Sequence, residues 1–279
     1  MSIKKHFIEN DFIKVEFIPQ LGGRISSLIH KKSKKDWVWK NPNLKANKVL
    51  DGKNYDENWQ GGWEELFPND AIENFSWGKG YDHGELWFNS WELEHFNSYS
   101  AKLEINNLDS GTNFSKLITI DGGKLSCEYE GKINFTDYFL FKLHLAIPLE
   151  NTLNIKSDIQ SINKVDPNFG NILNTEDHDK FLNPNINSGL YDFAYLDILG
   201  NEISVLDESR NHLKIKYDET NLKYFWIFQS QGGWMNHNVI VLEPCTNGRK
   251  DIKEAASQNM SIKGPIDFKT KYTVELDTL

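Results

Sequence analysis

One apolar segment carries a lysine and a histidine that could take part in proton transfer. In residues 138–147, YFLFKLHLAI, a strand period of two places Lys142 and His144 together on one side and five apolar residues on the other. A polar face on such a strand is either exposed to solvent or forms the floor of a polar pocket. The sequence therefore makes His144 a candidate acid or base, with a surface or structurally satisfied histidine as the alternative.

A second apolar segment ends in a carboxylate. Residues 239–243, VIVLE, place Glu243 on the same side as Val239 and Val241, directly before Pro244. Proline is expected to prevent ordinary strand pairing beyond this point. A carboxylate there is expected to be partly desolvated, which raises its pKa and makes it a better base near neutral pH. The alternative is a strand-end glutamate that faces water.

The segment 61–91, GGWEELFPNDAIENFSWGKGYDHGELWFNSW, combines glycines, acidic residues and His83 with tryptophans at positions 63, 77, 87 and 91. Aromatic faces beside carboxylates and amides suit a sugar, because its C–H patches stack on rings while its hydroxyls need fixed donors and acceptors. The interleaved polar residues and glycines do not fit one regular buried strand. The segment is therefore predicted to be a binding surface, and a tryptophan-rich edge of the core is the alternative.

The elements that must position these side chains are predicted to be strands. Alternating apolar and polar runs occur at 12–18, 101–107, 114–120, 124–130, 212–218 and 271–276. No segment shows a sustained apolar period of 3.6 residues. The pattern predicts an all-β protein, a large sandwich of antiparallel sheets that forms a single domain over residues 1–279. The Asn-rich region 163–188 is predicted to be a long loop.

Composition limits the partners of the chain. Forty acidic and 31 basic residues give a formal charge of −9, which argues against a nucleic-acid partner. Only Arg24, Arg210 and Arg249 could grip a phosphorylated ligand with a guanidinium fork. Cys127 and Cys245 are expected to be buried free thiols. No apolar run is long enough for a membrane span, so we expect a soluble, cytoplasmic protein without a membrane partner.

An ordered set of motifs resembles the aldose 1-epimerase, or galactose mutarotase-like, family. The motifs are GGR (22–24), GGWEELFPN (61–69), DHGELW (82–87), FKLHLAI (141–147), VDPNFG (165–170), QGGW (231–234) and VLEPCTN (241–247). The resemblance covers nearly the whole chain. It implies a β-supersandwich fold and, by motif position, the catalytic residues His83, His144 and Glu243. It also implies a small sugar substrate and no metal or nucleotide cofactor.

The reaction that the resemblance implies is the interconversion of the α and β anomers of an aldose. Glu243 would take the proton of the anomeric hydroxyl, His144 would protonate the ring oxygen, and His83 would hold one of these oxygens. The candidates for substrate binding are Glu65, Asn69, Asp82, Trp87, Lys142, Trp234 and Arg24. The galactose enzymes use an arginine near their Asn-rich entry motif, and residues 40–100 contain none. Arg24 is the nearest arginine, in a GGR motif at the start of a strand that need not face the pocket.

Three other functions fit parts of the sequence. A non-catalytic carbohydrate-binding protein would need the tryptophans but not the pair of His144 and Glu243. A glycosidase or lyase would need two carboxylates about 5–9.5 Å apart, with Glu65 or Glu85 beside Glu243. A metal site could use Asp82, His83 and Glu85, or residues 176–179, although their spacing is not typical of one metal. The chain is expected to act as a monomer or homodimer.

Overall fold

A computed structural model describes residues 3–49, 52–166, 172–174 and 177–279. Its helices are short: α1 Tyr55–Asn58, α2 His178–Leu182 and α3 Ile252–Ser257. The strands of the first half are β1 His6–Glu9, β2 Ile13–Ile18, β3 Arg24–His30, β4 Lys35–Asp36, β5 Trp63–Leu66, β6 Asn74–Phe75, β7 Gly78–Lys79, β8 Glu92–Phe96, β9 Ser100–Ile105, β10 Asn113–Asp121, β11 Lys124–Ile133 and β12 Tyr138–Phe139. Those of the second half are β13 Lys142–Pro148, β14 Leu153–Lys156, β15 Ile159–Val165, β16 Ile172–Asn174, β17 Leu190–Ile198, β18 Glu202–Asp207, β19 Asn211–Tyr217, β20 Tyr224–Gln231, β21 Asn238–Cys245, β22 Ile262–Lys263 and β23 Ile266–Thr278.

Two large sheets pack face to face. The first has 11 strands in the order β1-β2-β3-β5-β13-β21-β20-β17-β15-β16, with β4 paired to β3. The second has eight strands in the order β14-β18-β19-β23-β11-β10-β9-β8. Buried apolar side chains from both sheets form one core cluster between them. The predicted all-β fold, a large antiparallel sandwich, is confirmed.

The strands form where apolar and polar residues alternate. In β10 and β11 every second residue is buried, because one face of each strand packs on the core and the other meets solvent. The prediction of one long loop over 163–188 was wrong, since β15 extends to Val165, β16 follows and α2 is capped by the Asp177 side chain. The motif at 165–170 lies largely outside the described residues.

The centre of the first sheet positions the candidate site. In β13 Leu143 and Leu145 enter the core cluster while Lys142 and His144 lie on the opposite face, as the period of two predicts. The expected end of β21 at Pro244 was wrong, because the strand continues to Cys245 and pairs with Lys142. Pro244 is in none of the residue pairs between β21 and β13, so the N–H that proline lacks falls in a gap between the paired residues of these two strands.

Candidate active site

A cavity of about 360 Å³ opens on the face of the first sheet that points away from the core cluster. Strands β13, β17, β20 and β21 contribute to its lining, together with α1 and the loops that carry Asp70 and His83. This volume falls within the range of small-molecule sites, about 300–1,000 Å³. The cavity therefore has room for a small ligand above the central strands.

Glu243 and His144 form a close pair in this cavity. Glu243 Oε1 lies 3.2 Å from Nε2 of His144, and both residues are buried. Burial raises the pKa of Glu243 to about 7, although the Lys142 ammonium opposes the shift. Burial, and then the charges of Lys142 and His83, lower the pKa of His144 well below its usual value. The opposite shifts mean that the two groups hold one proton between them near neutral pH.

Lys142 joins this pair to a second carboxylate. Its Nζ lies 2.5 Å from Asp70 Oδ2 and 3.3 Å from Glu243 Oε1, and 4.8 Å from the centre of the Trp226 ring. Burial alone would lower the pKa of Lys142, but the two carboxylates raise it. Burial alone would raise the pKa of Asp70, but Lys142 and His83 lower it. Lys142 therefore stays charged and holds two acidic side chains next to the cavity.

His83 lies in a tight turn and has a backbone φ of 59°, in the left-handed region that few non-glycine residues adopt. Its Nδ1 is 2.8 Å from Asp82 Oδ1, and its Nε2 is 3.9 Å from Asp70 Oδ1. Burial alone would lower the pKa of His83, but the Asp70 and Asp82 carboxylates outweigh it and raise the pKa. The ring stacks on Tyr55 at 3.9 Å between centroids. The turn thus presents an imidazole that favours the charged form.

Tyr55 connects both histidines to a buried ion pair. Its hydroxyl lies 3.3 Å from Nδ1 of His144 and donates to Glu64 Oε1 at 2.5 Å. Glu64 Oε2 in turn lies 3.1 Å from Nη2 of Arg24. Glu64 is the direct cross-strand neighbour of His144, because β5 pairs with β13. This arrangement supports His144 from the side away from Glu243.

Aromatic rings form part of the cavity lining. Trp234 is half-buried and packs edge-to-face on Phe228 at 5.3 Å, while Trp59 lies 6.0 Å from Trp234 and packs edge-to-face on His144. Phe193 contributes a further ring from β17. A ring with an accessible face can stack on the C–H patches of a sugar.

Five of the residues that the sequence marked as site candidates lie at the cavity. His83, His144, Glu243, Lys142 and Trp234 all line the same cavity, although they come from three separate segments of the chain. Their location satisfies the geometric requirement that the acid, the base and the binding groups face a common space. Their roles in binding and catalysis are taken up as a proposal below.

Three predicted substrate contacts lie below the cavity and need correction. Arg24 is buried and donates to the carbonyl groups of residues 21, 61 and 87, so its guanidinium is used by the fold. Glu65 points into the core between the sheets, where Lys116 is 2.7 Å from its Oε1. Trp87 is fully buried, and its indole N–H donates to the carbonyl of Asp82.

Two further candidates shape the loops of the site instead of lining the cavity. The amide of Asn69 donates to the carbonyls of residues 70, 71 and 81 and so holds the turn together. Asp82 accepts from the backbone N–H of Tyr55 and contacts His83. The prediction that the 61–91 segment is a binding surface was wrong for most of it, because positions 63, 87 and 91 are buried tryptophans.

Sequence reasoning missed several residues of the site, among them Tyr55, Trp59, Glu64 and Asp70. Asp70 directly follows a candidate in the motif 61–69, and the adjacent acids at 64 and 65 must point to opposite faces of a strand, so the sequence held a signal for both. Tyr55 and Trp59 belong to a segment with no periodic pattern. They reach the site only because α1 folds over the cavity.

Clusters typical of metal sites and helices able to span a membrane are both absent from residues 3–49, 52–166, 172–174 and 177–279. No group of three or more His, Cys, Asp or Glu side chains there has the arrangement of a metal site. Glu85, a candidate for a metal or a catalytic pair, is turned toward Ser110, whose N–H lies 3.1 Å from its Oε1. Within the same residues, no helix has the length and apolar character needed to cross a membrane.

Comparisons with known proteins agree with the architecture. A family model described as a domain of unknown function, DUF5107, matches residues 3–69. A search of the curated proteins gives no sequence match. One similar solved structure is a galactose mutarotase-like protein from Clostridium acetobutylicum, with 14% identity and a TM-score of 0.73 over 100% of this chain and 99% of that chain. A second is a galactose mutarotase related enzyme from Lactobacillus acidophilus, with 12% identity and a TM-score of 0.72 over 99% of this chain and 98% of that chain. A third is a galactose mutarotase-like protein from Lactobacillus casei, with 11% identity and a TM-score of 0.71 over 99% of this chain and 100% of that chain. At these identities the likeness establishes the fold, and the chain has the galactose mutarotase-like fold.

Proposed function

We propose that the protein is an aldose 1-epimerase, which interconverts the α and β anomers of a sugar by opening and closing its ring. The observation that carries the proposal is the pair of Glu243 and His144 in a cavity lined by aromatic rings. The fold of the similar structures, among them a galactose mutarotase related enzyme, agrees with a carbohydrate-related activity. A non-catalytic sugar-binding protein would gain nothing from a buried acid–base pair.

Within this proposal, each group has a role in proton transfer. In the reactive form, the one proton that the pair holds lies on Nε2 of His144 and Glu243 is ionised. The Glu243 carboxylate then takes the proton of the anomeric hydroxyl while His144 gives its Nε2 proton to the ring oxygen. The bond between C1 and the ring oxygen breaks, and the carbonyl at C1 forms. After rotation about the C1–C2 bond, the reverse transfers close the ring on the other face. Both proton carriers return to their starting states, so no cofactor is consumed.

The surroundings of the site residues suit the roles proposed for them. No hydrogen-bond partner among the described residues reaches Oε2 of Glu243, which is a buried oxygen of a side chain that lines the cavity. Burial keeps the pKa of Glu243 near the working pH of a general base. The charged form of His83 stabilises the negative charge that develops on the sugar oxygens. Trp234 supplies a stacking face for the pyranose.

The test is anomer exchange measured by NMR saturation transfer across a panel of free and phosphorylated aldoses. The wild-type protein should accelerate exchange for at least one sugar, and Glu243→Gln should abolish that acceleration. Saturable sugar binding, read from tryptophan fluorescence, without any exchange would instead support the carbohydrate-binding protein. Absence of both exchange and binding over the whole panel would refute both functions.

A further inference from the structure

We propose that Tyr55, Glu64 and Arg24, here called the site triad, position His144 by holding the proton on its Nδ1 and leaving Nε2 for proton exchange. The inference rests on the proposed function, because it concerns the same acid–base pair. None of the three residues needs to touch the reacting atoms of the sugar. They act through His144.

The proton count at Tyr55 sets the tautomer of His144. The Tyr55 hydroxyl has one proton, which it donates to Glu64 Oε1 at 2.5 Å. The hydroxyl oxygen can then only accept from Nδ1 of His144, 3.3 Å away. In neutral His144 the proton therefore sits on Nδ1, and the lone pair of Nε2 faces Glu243 Oε1 at 3.2 Å. Nε2 is thus the nitrogen that gains and loses the catalytic proton.

The far end of the triad is fixed to the backbone. Arg24 donates to the carbonyls of residues 21, 61 and 87, so its guanidinium is held 3.1 Å from Glu64 Oε2. Burial raises the pKa of Glu64, while the Arg24 charge and the Tyr55 hydrogen bond oppose this shift and favour the ionised form. Gly62 gives the Arg24 side chain room, because a Cβ at that position would lie 3.0 Å from Arg24 Cδ and the backbone φ is +104°. An ionised Glu64 is the better acceptor for the Tyr55 proton, so the Tyr55 hydroxyl donates to Glu64 and accepts from His144.

The hydroxyl of Tyr55 can be removed without removing its ring. The ring stacks on His83, so Tyr55→Phe preserves that contact and deletes only the hydrogen bonds. The charged or titratable groups that face His144 are Lys142, Asp70, His83, Arg24 and Glu243. All of them stay in place in this variant, so a change in the state of His144 reports on the hydroxyl.

The experiment compares Tyr55→Phe with Tyr129→Phe. Tyr129 is a matched control, because it is also buried and donates to a glutamate, Glu65, at 2.6 Å, but between the sheets. Imidazole ¹⁵N NMR of the wild type should show His144 with its proton on Nδ1. Tyr55→Phe should give a mixture of tautomers and lower kcat by roughly threefold to tenfold, the effect of one hydrogen bond, with KM within about twofold. Tyr129→Phe should leave the tautomer, kcat and the pH profile of kcat unchanged.

Two results would overturn the inference. One is a wild-type spectrum with the His144 proton on Nε2, and the other is a Tyr55→Phe variant whose tautomer and kcat equal those of the wild type. Should Tyr55→Phe not fold, Glu64→Gln carries the same test, because the neutral amide is a weaker acceptor and should also mix the tautomers. A wild-type protein that exchanges no sugar would refute the proposed function, while its ¹⁵N spectrum would still decide the tautomer.

Discussion

Two buried groups, each made of a tyrosine, a glutamate and a cationic side chain, lie on opposite faces of β5. The first is the site triad, Tyr55, Glu64 and Arg24. The second, the core triad, is Tyr129, Glu65 and Lys116. In each group the tyrosine donates to the glutamate and the cation contacts the same carboxylate. The chemical composition of the two groups is nearly the same, so their composition alone cannot explain a difference in role.

The surroundings of the two triads differ. The core triad lies between the sheets, where Tyr129 packs edge-to-face on Phe141 and Lys116 also donates to the carbonyl of Gly23 at 3.2 Å. The site triad instead meets an imidazole that lines a cavity. Adjacent residues of a strand point to opposite faces, so a single step along the chain separates a structural group from a positioning group. The face of β5, and not the residue types, determines the role.

The largest expected effect comes from breaking the acid–base pair above the site triad. Glu243→Gln and His144→Asn should each lower anomer exchange by roughly 10²- to 10⁴-fold, because each removes one proton carrier. Lys142 keeps its contact with Asp70 at 2.5 Å in Glu243→Gln, so no buried cation loses every partner. Saturation-transfer NMR gives the exchange rate, and a thermal melt of the same sample gives the stability.

The melt separates the possible outcomes for these variants. A melting temperature near that of the wild type together with lost exchange supports a catalytic role. Lost exchange accompanied by a large fall in melting temperature would instead make Glu243 a structural buried charge. Exchange within a few-fold of the wild type in either variant contradicts the proposed mechanism.

The next largest effect breaks the core triad and leaves the site triad intact. Lys116→Met should lower the free energy of unfolding by about 3–5 kcal/mol, because it leaves the Glu65 carboxylate buried without its cation. Exchange per folded molecule should stay unchanged. Denaturant unfolding measures the stability, and exchange normalised to the folded fraction measures the activity. A fall in normalised exchange of tenfold or more would show that the two faces of β5 are coupled.

The sequence predicts much of this comparison but not all of it. The period of two in β13 correctly separates Lys142 and His144 from the core residues, and the desolvation of Glu243 follows from the apolar run before it. The period cannot say which of two adjacent glutamates faces the site. The prediction chose Glu65, because nothing in the local pattern shows that β13 pairs with Glu64 opposite His144.

Long-range contacts account for the remaining errors. Arg24 was predicted to bind substrate, and the structure instead ties it to three backbone carbonyls from separate parts of the chain. Tyr55 escaped prediction because its segment has no strand or helix period, and its contacts with His83 and His144 come only from folding. Local patterns therefore predict faces and elements, while the partners of buried polar groups depend on sheet order.

The pH dependence of exchange provides a smaller effect that distinguishes the two faces. The pKa of Glu243 is raised to about 7, and its carboxylate must be free to accept a proton. Because Glu243 must accept a proton while His144 gives one, the pair must hold one proton for exchange to occur. The rate of exchange should therefore fall about tenfold per pH unit above pH 7, where the pair loses this proton, with an apparent pKa that belongs to the Glu243 and His144 pair.

The control for this profile is Glu65→Gln, which changes a buried carboxylate of the core triad. Its rate, corrected for the folded fraction, should follow the same curve as the wild type. A wild-type profile with a midpoint near the ordinary glutamate pKa of 4.5 would mean that the group controlling the rate is not a carboxyl whose pKa is raised by burial. The assignment of Glu243 as the base would then fail.

The smallest expected effect concerns the aromatic lining rather than the proton carriers. Trp234→Ala should raise KM by roughly two- to tenfold with kcat nearly unchanged, because a stacking ring binds the sugar equally in its ground and transition states. Trp77→Ala is the matched control, since Trp77 is also half-buried but stacks on Phe75 at 5.1 Å away from the cavity lining. Its KM should equal that of the wild type. A Trp234→Ala variant that loses kcat with KM unchanged would show that the ring positions the acid–base pair, because only interactions specific to the transition state alter kcat alone.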